Sequence, residues 1–206
     1  MPEANSVPDI VIGRLPIYLR ALNHLLEEGQ RITASRQLAR RLGISSAQIR
    51  KDLSHFGEFG KQGMGYDIAR LRDEIRSILQ VDRDWEMALV GAGDLGHAIV
   101  HYGGFEGRGF RVGCVFDNNP KKIGRRLGQL DIHDVATLQQ KVRDLDLRIA
   151  IVAVPTGEAQ AVVDELVRAG IKAILNYAPI TVTVPPEVKV QYIDPVIHLQ
   201  HMTYYL

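Results

Sequence analysis

Apolar residues early in the chain recur at the spacing of an α-helix. Leu15, Leu19, Leu22 and Leu26 fall on one helical stripe, which predicts a helix that ends at Gly29. Beyond it, the apolar positions form two shorter groups, each bounded by residues that start or stop helices. The pattern therefore predicts three consecutive helices in this part of the chain.

The second and third of these helices are short and closely spaced. Ser35 is expected to cap the second, and Gly43 suits the left-handed turn that ends it. Ser45 opens the third, and Gln48 stands at the spacing of a capping box. Two short helices joined by a tight turn predict a helix-turn-helix. The third helix is expected to bury Ile49, Leu53 and Phe56.

A glycine-rich segment follows the third helix. Its glycines, between 57 and 65, break any helix and favour a tight two-stranded turn, the wing of a winged helix. Asp67 then caps a further helix, and a polar joint at 81–84 separates this half of the chain from the next. We expect a winged helix-turn-helix domain over residues 1–80, with the boundary near residue 82.

After Trp85 the pattern changes to short apolar runs that alternate with helical segments. The runs have the length of buried strands and lie at 87–90, 112–116, 149–154 and 173–175. Strands that alternate with helices are typical of a parallel, doubly wound α/β sheet. We expect a Rossmann domain over 84–192, followed by an apolar-rich helix over 193–206 that Asp194 opens.

Composition and charge exclude several classes of protein. The net charge is only +1, but basic residues cluster between 30 and 61, which points to phosphate groups as a partner. Cys114 is the single cysteine, so an internal disulfide framework is excluded. No apolar run approaches the roughly 18 residues that span a bilayer, and the N-terminus lacks the apolar core of a signal peptide. We expect a cytoplasmic protein without a membrane role.

The run at 87–90 leads into a glycine-rich turn. Gly91, Gly93 and Gly96 have the G-x-G-x-x-G spacing between a strand and a helix. The first glycine permits the sharp turn, the second lets the backbone approach a pyrophosphate, and the third lets the helix pack against the strand. Asp117 closes the next strand about 20 residues later, where a carboxylate can accept hydrogen bonds from an adenosine ribose. These residues predict a dinucleotide site.

Charged residues near this turn bear on which dinucleotide binds. The carboxylate of Asp117 favours NAD(H) over NADP(H). Four basic residues between Lys121 and Arg126 could contact an adenosine phosphate, which leaves NADP(H) open as an alternative. Asp94 lies inside the turn, where a second negative charge repels a pyrophosphate unless it points to solvent.

The third helix carries polar residues on the face opposite its apolar one. Arg50 can donate two hydrogen bonds to a guanine edge, and Lys51 can reach a base or a phosphate. Serine hydroxyls near the helix start can hold the DNA backbone, and the wing adds a lysine and exposed amides. The predicted DNA-binding residues are Ser45, Ser46, Gln48, Arg50, Lys51, Ser54, Lys61 and Gly63.

Three stretches of the sequence carry a family resemblance. They are RLPIYLR at 14–20, QIRKDLSHFG at 48–57 with the wing to Tyr66, and Gly91–Gly96 with Phe116 and Asp117. Together with residues 175–179 and the last helix, they resemble the Rex family of bacterial redox-sensing transcriptional repressors. The resemblance implies a homodimer whose terminal helices are swapped between subunits. It also implies that the dimer binds an inverted-repeat operator, that NADH releases the DNA and that NAD⁺ competes.

The resemblance also assigns roles to individual residues. Arg20, Tyr102 and Asp194 match family positions near the nicotinamide and the domain joint, and we expect a network of these three to couple nucleotide binding to DNA release. Asp94 and His55 depart from the family pattern, and the family commonly has a tyrosine where this chain has His55. The predicted cofactor-binding residues are Gly91, Ala92, Gly93, Asp94, Leu95, Gly96, Tyr102, Asp117, Val154, Pro155, Asn176 and Asp194.

Two other functions use the same fold. An NAD-dependent oxidoreductase needs a substrate domain and a hydride-transfer pair, and the sequence has neither, so no catalytic residue is expected. A regulator that senses coenzyme A is the second alternative, because Val154-Pro155 and the glycine turn also resemble CoA-binding Rossmann domains.

Two motifs favour neither alternative. His97 and His101 have the spacing of a metal pair but lack a third ligand, so no metal is expected. Cys114 has no basic neighbour in the sequence that would activate its thiol, so we expect redox sensing to occur through the nucleotide.

Overall fold

The chain divides into two compact units, the first ending at Arg83 and the second beginning at Asp84. The computed structural model describes residues 7–61 and 65–206, so the predicted DNA-binding residue Gly63 lies outside the described residues. Within these ranges, none of the helices is both long enough and apolar enough to cross a membrane.

The described part of the first unit contains helices and a small antiparallel sheet. Its helices are α1 (Asp9–Ile12), α2 (Leu15–Glu27), α3 (Ser35–Leu42), α4 (Ser46–Ser54) and α5 (Ile68–Ile78). Its strands are β1 (Ile32–Thr33), β2 (Gly60–Lys61) and β3 (Gly65–Asp67), paired in the order β1-β3-β2. This is the order of a winged helix-turn-helix, in which α3 and α4 form the motif and β2 and β3 belong to the wing.

The core of the first unit follows the predicted apolar stripes. Leu15 and Leu22 of α2 are fully buried, while Leu19 and Leu26 pack half-buried around them. Ile49 and Leu53 of α4 are buried as predicted. Helices α2, α4 and α5 thus share one apolar core, which fixes the side of α4 that remains at the surface.

The helix starts agree with the sequence at two positions and differ at a third. Ser45 Oγ accepts a hydrogen bond from the Gln48 amide at 3.1 Å, and Asp67 caps α5 in the same way. The expected Ser35 cap is wrong, because Ala34 holds that position and the Ser35 hydroxyl accepts a hydrogen bond from Arg50. The second half of the capping box is also wrong, because the Gln48 side chain bonds Asp52.

The described part of the second unit is a seven-stranded sheet with helices on both faces. Its strands are β4 (Trp85–Val90), β5 (Phe110–Asp117), β6 (Arg126–Leu127), β7 (Leu130–Asp134), β8 (Ile149–Val152), β9 (Ala173–Asn176) and β10 (Lys189–Tyr192). Its helices are α6 (Asp94–Val100), α7 (Leu138–Asp144), α8 (Thr156–Ala169) and α9 (Pro195–Thr203). A 3₁₀ turn at Val135–Thr137 precedes α7.

The sheet order is β10-β9-β8-β4-β5-β7-β6, and every pair is parallel except β6–β7. The chain moves outward from β4 in one direction and returns to β8 on its other side, so the strand order reverses beside β4. In open α/β sheets, ligands bind outside the carboxyl ends of the strands at such a reversal. Helix α6 packs on the Leu89 face, and helices α7 and α8 pack on the Val90 face.

The last helix differs from the rest of the second unit in its exposure. Asp194 caps it as predicted, accepting a hydrogen bond from the Val196 amide at 2.9 Å, but the helix ends at Thr203 and not at Leu206. No residue of α9 is buried, although it is rich in apolar side chains. The exposed ones, each more than half accessible, are Val196, Ile197, Leu199 and Met202.

Candidate nucleotide site and DNA-reading helix

The glycine turn after β4 depends on its first and third glycines. Gly91 has a backbone φ of +106°, and a Cβ there would lie 2.2 Å from the carbonyl oxygen of Ala153. A Cβ on Gly96 would lie 2.0 Å from the carbonyl oxygen of Gly91. The first glycine therefore lets the turn lie against the end of β8, and the third lets α6 lie against the turn, as predicted.

The middle of the turn is open. A Cβ on Gly93 would meet nothing within 4 Å, so the backbone is accessible to a pyrophosphate on this side. Asp94 and Leu95 follow at the start of α6, and both are exposed. Among the described residues, Asp94 has no ion-pair partner, and its exposure to solvent screens its charge.

Asp117 is the buried polar centre of this site. Its Oδ2 accepts a hydrogen bond from the Ala92 amide at 2.8 Å and one from Lys122 Nζ at 3.1 Å. Its Oδ1 accepts the Asn119 amide at 2.8 Å. Burial alone would raise the pKa of Asp117. The hydrogen bonds from the two backbone amides and from Lys122 outweigh this effect, so the pKa lies below its ordinary value of 3.8. The carboxylate is therefore ionised at neutral pH.

This arrangement fits an adenosine ribose. A carboxylate has about four lone-pair sites, and described residues occupy three of those on Asp117, so one acceptor site is left for a hydroxyl. Lys122 is held by the same carboxylate, so it is not a free cation for an adenosine 2′-phosphate. The charge of Asp117 would also repel such a phosphate. The geometry favours NAD(H) over NADP(H).

The segment after β8 lies next to the turn. The Cγ1 atom of Val154 would be 3.2 Å from a Cβ on Gly91, and exposed Pro155 stands directly before α8. On the same edge of the sheet, Asn118 Nδ2 donates to Glu158 Oε2 at 3.0 Å, which links the loop after β5 to the first turn of α8. This link could not be predicted from the sequence, because two exposed polar residues 40 positions apart form no recognisable pattern.

Asn176, a predicted cofactor-binding residue, makes its side-chain hydrogen bonds within its own loop. It is fully buried at the end of β9. The amide nitrogen donates to the carbonyl oxygens of Ala178 and Ile180, and Oδ1 accepts from the Ala178 amide. The side chain thus shapes the loop after β9 and has little capacity left for a ligand.

The three predicted coupling residues lie on or next to three different helices. Arg20 is exposed on α2 of the first unit. Tyr102 lies two residues beyond the end of α6, not on it, and its ring packs edge-on against Phe105 with centroids 5.1 Å apart. Asp194 caps α9. No hydrogen bond joins Tyr102 to Asp194 within the described residues, so their network stays a prediction.

The surface side of α4 carries the predicted DNA-reading residues. Arg50, Lys51 and Ser54 are exposed, as is the capping Ser45, while Ser46 is half-buried. Arg50 Nη1 donates to Ser35 Oγ at 3.1 Å, which holds the guanidinium over the start of α3. Lys61 is the last described residue of β2. Two exposed cations, Arg50 and Lys51, thus lie on the second helix of the motif, the helix that enters the major groove in proteins with this motif.

Gln48 belongs to a buried cluster that the sequence analysis missed. Its Nε2 donates to Asp52 Oδ1 at 2.7 Å, and Tyr18 donates to Oδ2 at 2.5 Å. Arg14 donates to both carboxylate oxygens, at 2.5 and 2.7 Å. One signal was available, because Asp52 lies three residues after Ile49 on the apolar face of α4. An acidic residue at such a position requires buried partners.

The histidine pair His97 and His101 and the thiol of Cys114 are the remaining candidates for metal or redox chemistry. Within the described residues, no group of three histidines, cysteines or acids could hold a metal ion, and His101 Nδ1 lies 2.8 Å from the His97 carbonyl oxygen. Cys114 is buried in β5, and burial raises the pKa of its thiol to about 12. A thiol of that pKa is not a nucleophile at neutral pH.

Comparison with known proteins covers both units. Residues 82–180 match the family described as CoA binding domain, and residues 6–54 match the family described as putative DNA-binding protein N-terminus. Over 206 residues, all of this chain, the sequence is 50% identical to the redox-sensing transcriptional repressor Rex of Chloroflexus aggregans, 97% of which is covered.

Two solved structures resemble this one along nearly the whole chain. The crystal structure of RSP in complex with β-NAD⁺ and operator DNA has a TM-score of 0.92 and 38% identity, covering 97% of this chain and 92% of that one. The structure of RSP with β-NADH has a TM-score of 0.88 and 35% identity, covering 98% and 94%. The likeness in sequence and in fold leads to one conclusion: the chain belongs to the Rex family of redox-sensing transcriptional repressors.

Proposed function

We propose that this protein is a redox-sensing transcriptional repressor that binds operator DNA and is released when NADH binds. One observation carries the proposal: a single chain joins a winged helix with exposed cations on α4 to a glycine turn completed by buried Asp117. The relative of known structure was crystallised with NAD⁺ and operator DNA, which is the pair of ligands these two sites suit. We assign the DNA-binding domain to residues 1–80 and the NAD(H)-binding domain to 84–192.

In the second unit, the open side of the turn at Gly93 would accept the pyrophosphate, and Asp117 would accept a ribose hydroxyl. NADH and NAD⁺ differ in charge at the nicotinamide, and a ligand shifts an equilibrium only by binding one state better than the other. We infer that Tyr102, Asp194 and Arg20 make this distinction and couple it to the first unit. Val154 and Pro155 complete the wall of the site beside the turn.

The exposed helix α9 supports a homodimer. Four of its apolar side chains are more than half accessible, and such a surface is typical of a protein–protein interface. We propose that residues 193–206 form the dimerisation segment and that it is exchanged between subunits. A two-fold symmetric dimer presents two copies of α4, which matches an inverted-repeat operator. Because the proposed partner of this repressor is operator DNA, we place the protein in the cytoplasm.

The match to the CoA binding domain family supports coenzyme A as a second candidate ligand. The adenosine end of both ligands fits the same turn, but the 3′-phosphate of coenzyme A would approach the Asp117 carboxylate, which disfavours it. An oxidoreductase is the third possibility, and the relatives are named as repressors, not enzymes.

One titration separates these functions. The probe is an inverted-repeat duplex that the wild-type protein selects from a randomised pool, and NADH, NAD⁺, NADPH and coenzyme A are added in turn at fixed salt. We expect NADH to release the duplex at the lowest concentration. Release by coenzyme A and not by NADH would contradict the proposal. Steady consumption of NADH with a metabolite would establish an enzyme in its place.

A further inference from the structure

The cluster of Arg14, Tyr18, Gln48 and Asp52, named here the Asp52 cluster, lies inside the DNA-binding unit. Asp52 is 0% exposed and Tyr18 1%, while the Arg14 side chain remains 19% exposed. Four hydrogen bonds of 2.5 to 2.7 Å end on the two oxygens of the carboxylate. Every side-chain lone pair of Asp52 therefore has a donor.

Burying this charge is costly, and an apolar cluster could fill the same space. Replacing a buried ion pair by apolar residues of similar volume is often neutral or stabilising. The surrounding core of α2 and α4 is apolar, so leucine-like packing could continue through this position. Unlike apolar contacts, the hydrogen bonds to this carboxylate are directional, so they can fix the orientation of the groups that they join.

The direction of the bonds ties two particular helices together. Arg14 stands directly before α2, Tyr18 lies within it, and Asp52 and Gln48 lie on α4. In the described part of the chain, every hydrogen bond between side chains of the Arg14–α2 segment and α4 ends on Asp52. Helix α4 has only nine residues, so its apolar face alone permits small rotations and shifts along the core.

Asp52 is adjacent to the residues proposed to read DNA. Lys51 precedes it and Arg50 lies two positions before it, on the exposed side of the same short helix. A rotation of α4 about its axis would therefore displace the Arg50 guanidinium from its base while leaving the positive charge near the phosphates. Base contacts require accurate placement, whereas phosphate attraction does not.

We propose that Asp52 is a positioning residue for sequence reading, acting through Arg50 and Lys51 by fixing the rotation of α4 against α2. This inference rests on the proposed function, since it presumes that α4 reads an operator. The cluster contributes to the affinity for a specific sequence and not to the general attraction for DNA.

The test is Asp52→Asn, which keeps the shape of the side chain but removes its charge and one acceptor. We expect its affinity for the selected inverted-repeat duplex to fall about tenfold or more, the range for losing bonds to a charged group. Affinity for a random-sequence duplex should stay within about twofold, and the slope of log affinity against log salt should not change, because no phosphate contact is lost. NADH affinity should also be unchanged.

A matched control is Asp73→Asn, which removes an exposed carboxylate from the same unit; within the described residues its only partner is the neighbouring Arg72. It should leave both DNA affinities unchanged. Circular dichroism at the assay temperature identifies any variant that is unfolded. If Asp52→Asn does not fold, Tyr18→Phe and Arg14→Lys provide the same test. Arg14→Lys keeps the charge but cannot form the paired bonds, so it should also lose specific affinity.

Two results would overturn the inference. One is equal loss of specific and random-duplex affinity in a folded variant, which would mean a general structural role. The other is unchanged specific affinity. The proposed function fails separately and visibly, since a wild-type protein that selects no sequence from the pool would exclude sequence reading and this inference with it.

Discussion

Each unit of the protein buries an aspartate, and the two are held in different ways. Asp52 receives its hydrogen bonds from side chains of Arg14, Tyr18 and Gln48, which close around it completely. Asp117 receives two of its three from backbone amides, and it keeps an acceptor site. A carboxylate saturated by side chains fixes two helices. A carboxylate held by loop amides at the end of a strand can still receive a ligand.

The largest expected effect comes from Asp117→Ala. It leaves the buried Ala92 amide, the part-buried Asn119 amide and Lys122 without their acceptor and removes the proposed ribose contact, so we expect NADH affinity to fall about 10- to 100-fold. Operator affinity without nucleotide should stay within about twofold. NADH fluorescence titration and DNA binding measure the two quantities. If NADH affinity is unchanged, Asp117 does not contact the nucleotide.

The reverse loss is expected for Arg50→Ala. Its guanidinium is exposed on α4 and held by Ser35, so its removal should reduce affinity for the selected duplex by about 1–3 kcal/mol. NADH affinity should not change. Binding to duplexes with single base changes gives a sharper result, because the variant should lose discrimination at one position of each half-site. Loss at all positions equally would indicate a phosphate contact.

The pH dependence of stability should separate the two aspartates. Both have a pKa below the ordinary value of 3.8, so each stabilises the fold above that value and loses this contribution as pH falls through its folded pKa. In Asp52, burial opposes this shift and the bonds from Arg14, Tyr18 and Gln48 exceed it. The stability of both units should therefore decrease between about pH 5 and pH 2.

The single tryptophan, Trp85, belongs to β4 of the second unit, so its fluorescence follows the unfolding of that unit. In the wild type, the urea midpoint measured from its fluorescence should decrease as the pH is lowered from about 5 to 2. The fall should be smaller in Asp117→Asn and unchanged in Asp52→Asn. If Asp52→Asn alters the pH dependence of the tryptophan signal, the two aspartates do not act in separate units.

The smallest effect is expected for Lys122→Gln. The ion pair with Asp117 is 3.1 Å long, and the lysine side chain is 36% exposed, so solvent screens much of the attraction. NADH affinity should change by less than about fivefold. NADPH should remain the weaker ligand, because the Asp117 charge is still present. A gain in NADPH affinity in this variant would show that Lys122, and not Asp117, excludes the phosphate.

The parts of the site that depend on local backbone constraints could be predicted from the sequence. The glycine turn follows from the steric needs of Gly91 and Gly96, and the place of Asp117 follows from its strand. The partners of these residues could not be predicted, because Ala92 and Lys122 reach Asp117 only through folding. Asp52 was missed for the same reason, although its position beside Ile49 and Leu53 on α4 indicated it.

Short elements were also missed. The β6–β7 hairpin has a two-residue strand, Arg126–Leu127, and β1 consists of Ile32 and Thr33 alone. Runs this short have no readable alternation, and their pairing with distant strands decides that they are extended. Ser35 was expected to cap α3, but a hydrogen bond from α4 uses its hydroxyl. Tertiary contacts override local preference at such positions.

The central claim is that the ratio of NADH to NAD⁺ controls DNA binding by this chain. The most direct measurement is fluorescence anisotropy of the selected duplex as that ratio is raised at fixed total nucleotide and fixed salt. We predict that the duplex stays bound in NAD⁺ alone and dissociates as the NADH fraction rises, and that Asp117→Ala needs about 10- to 100-fold more total nucleotide to respond. Anisotropy that is independent of the ratio, in a wild-type protein that binds both nucleotides, would contradict it.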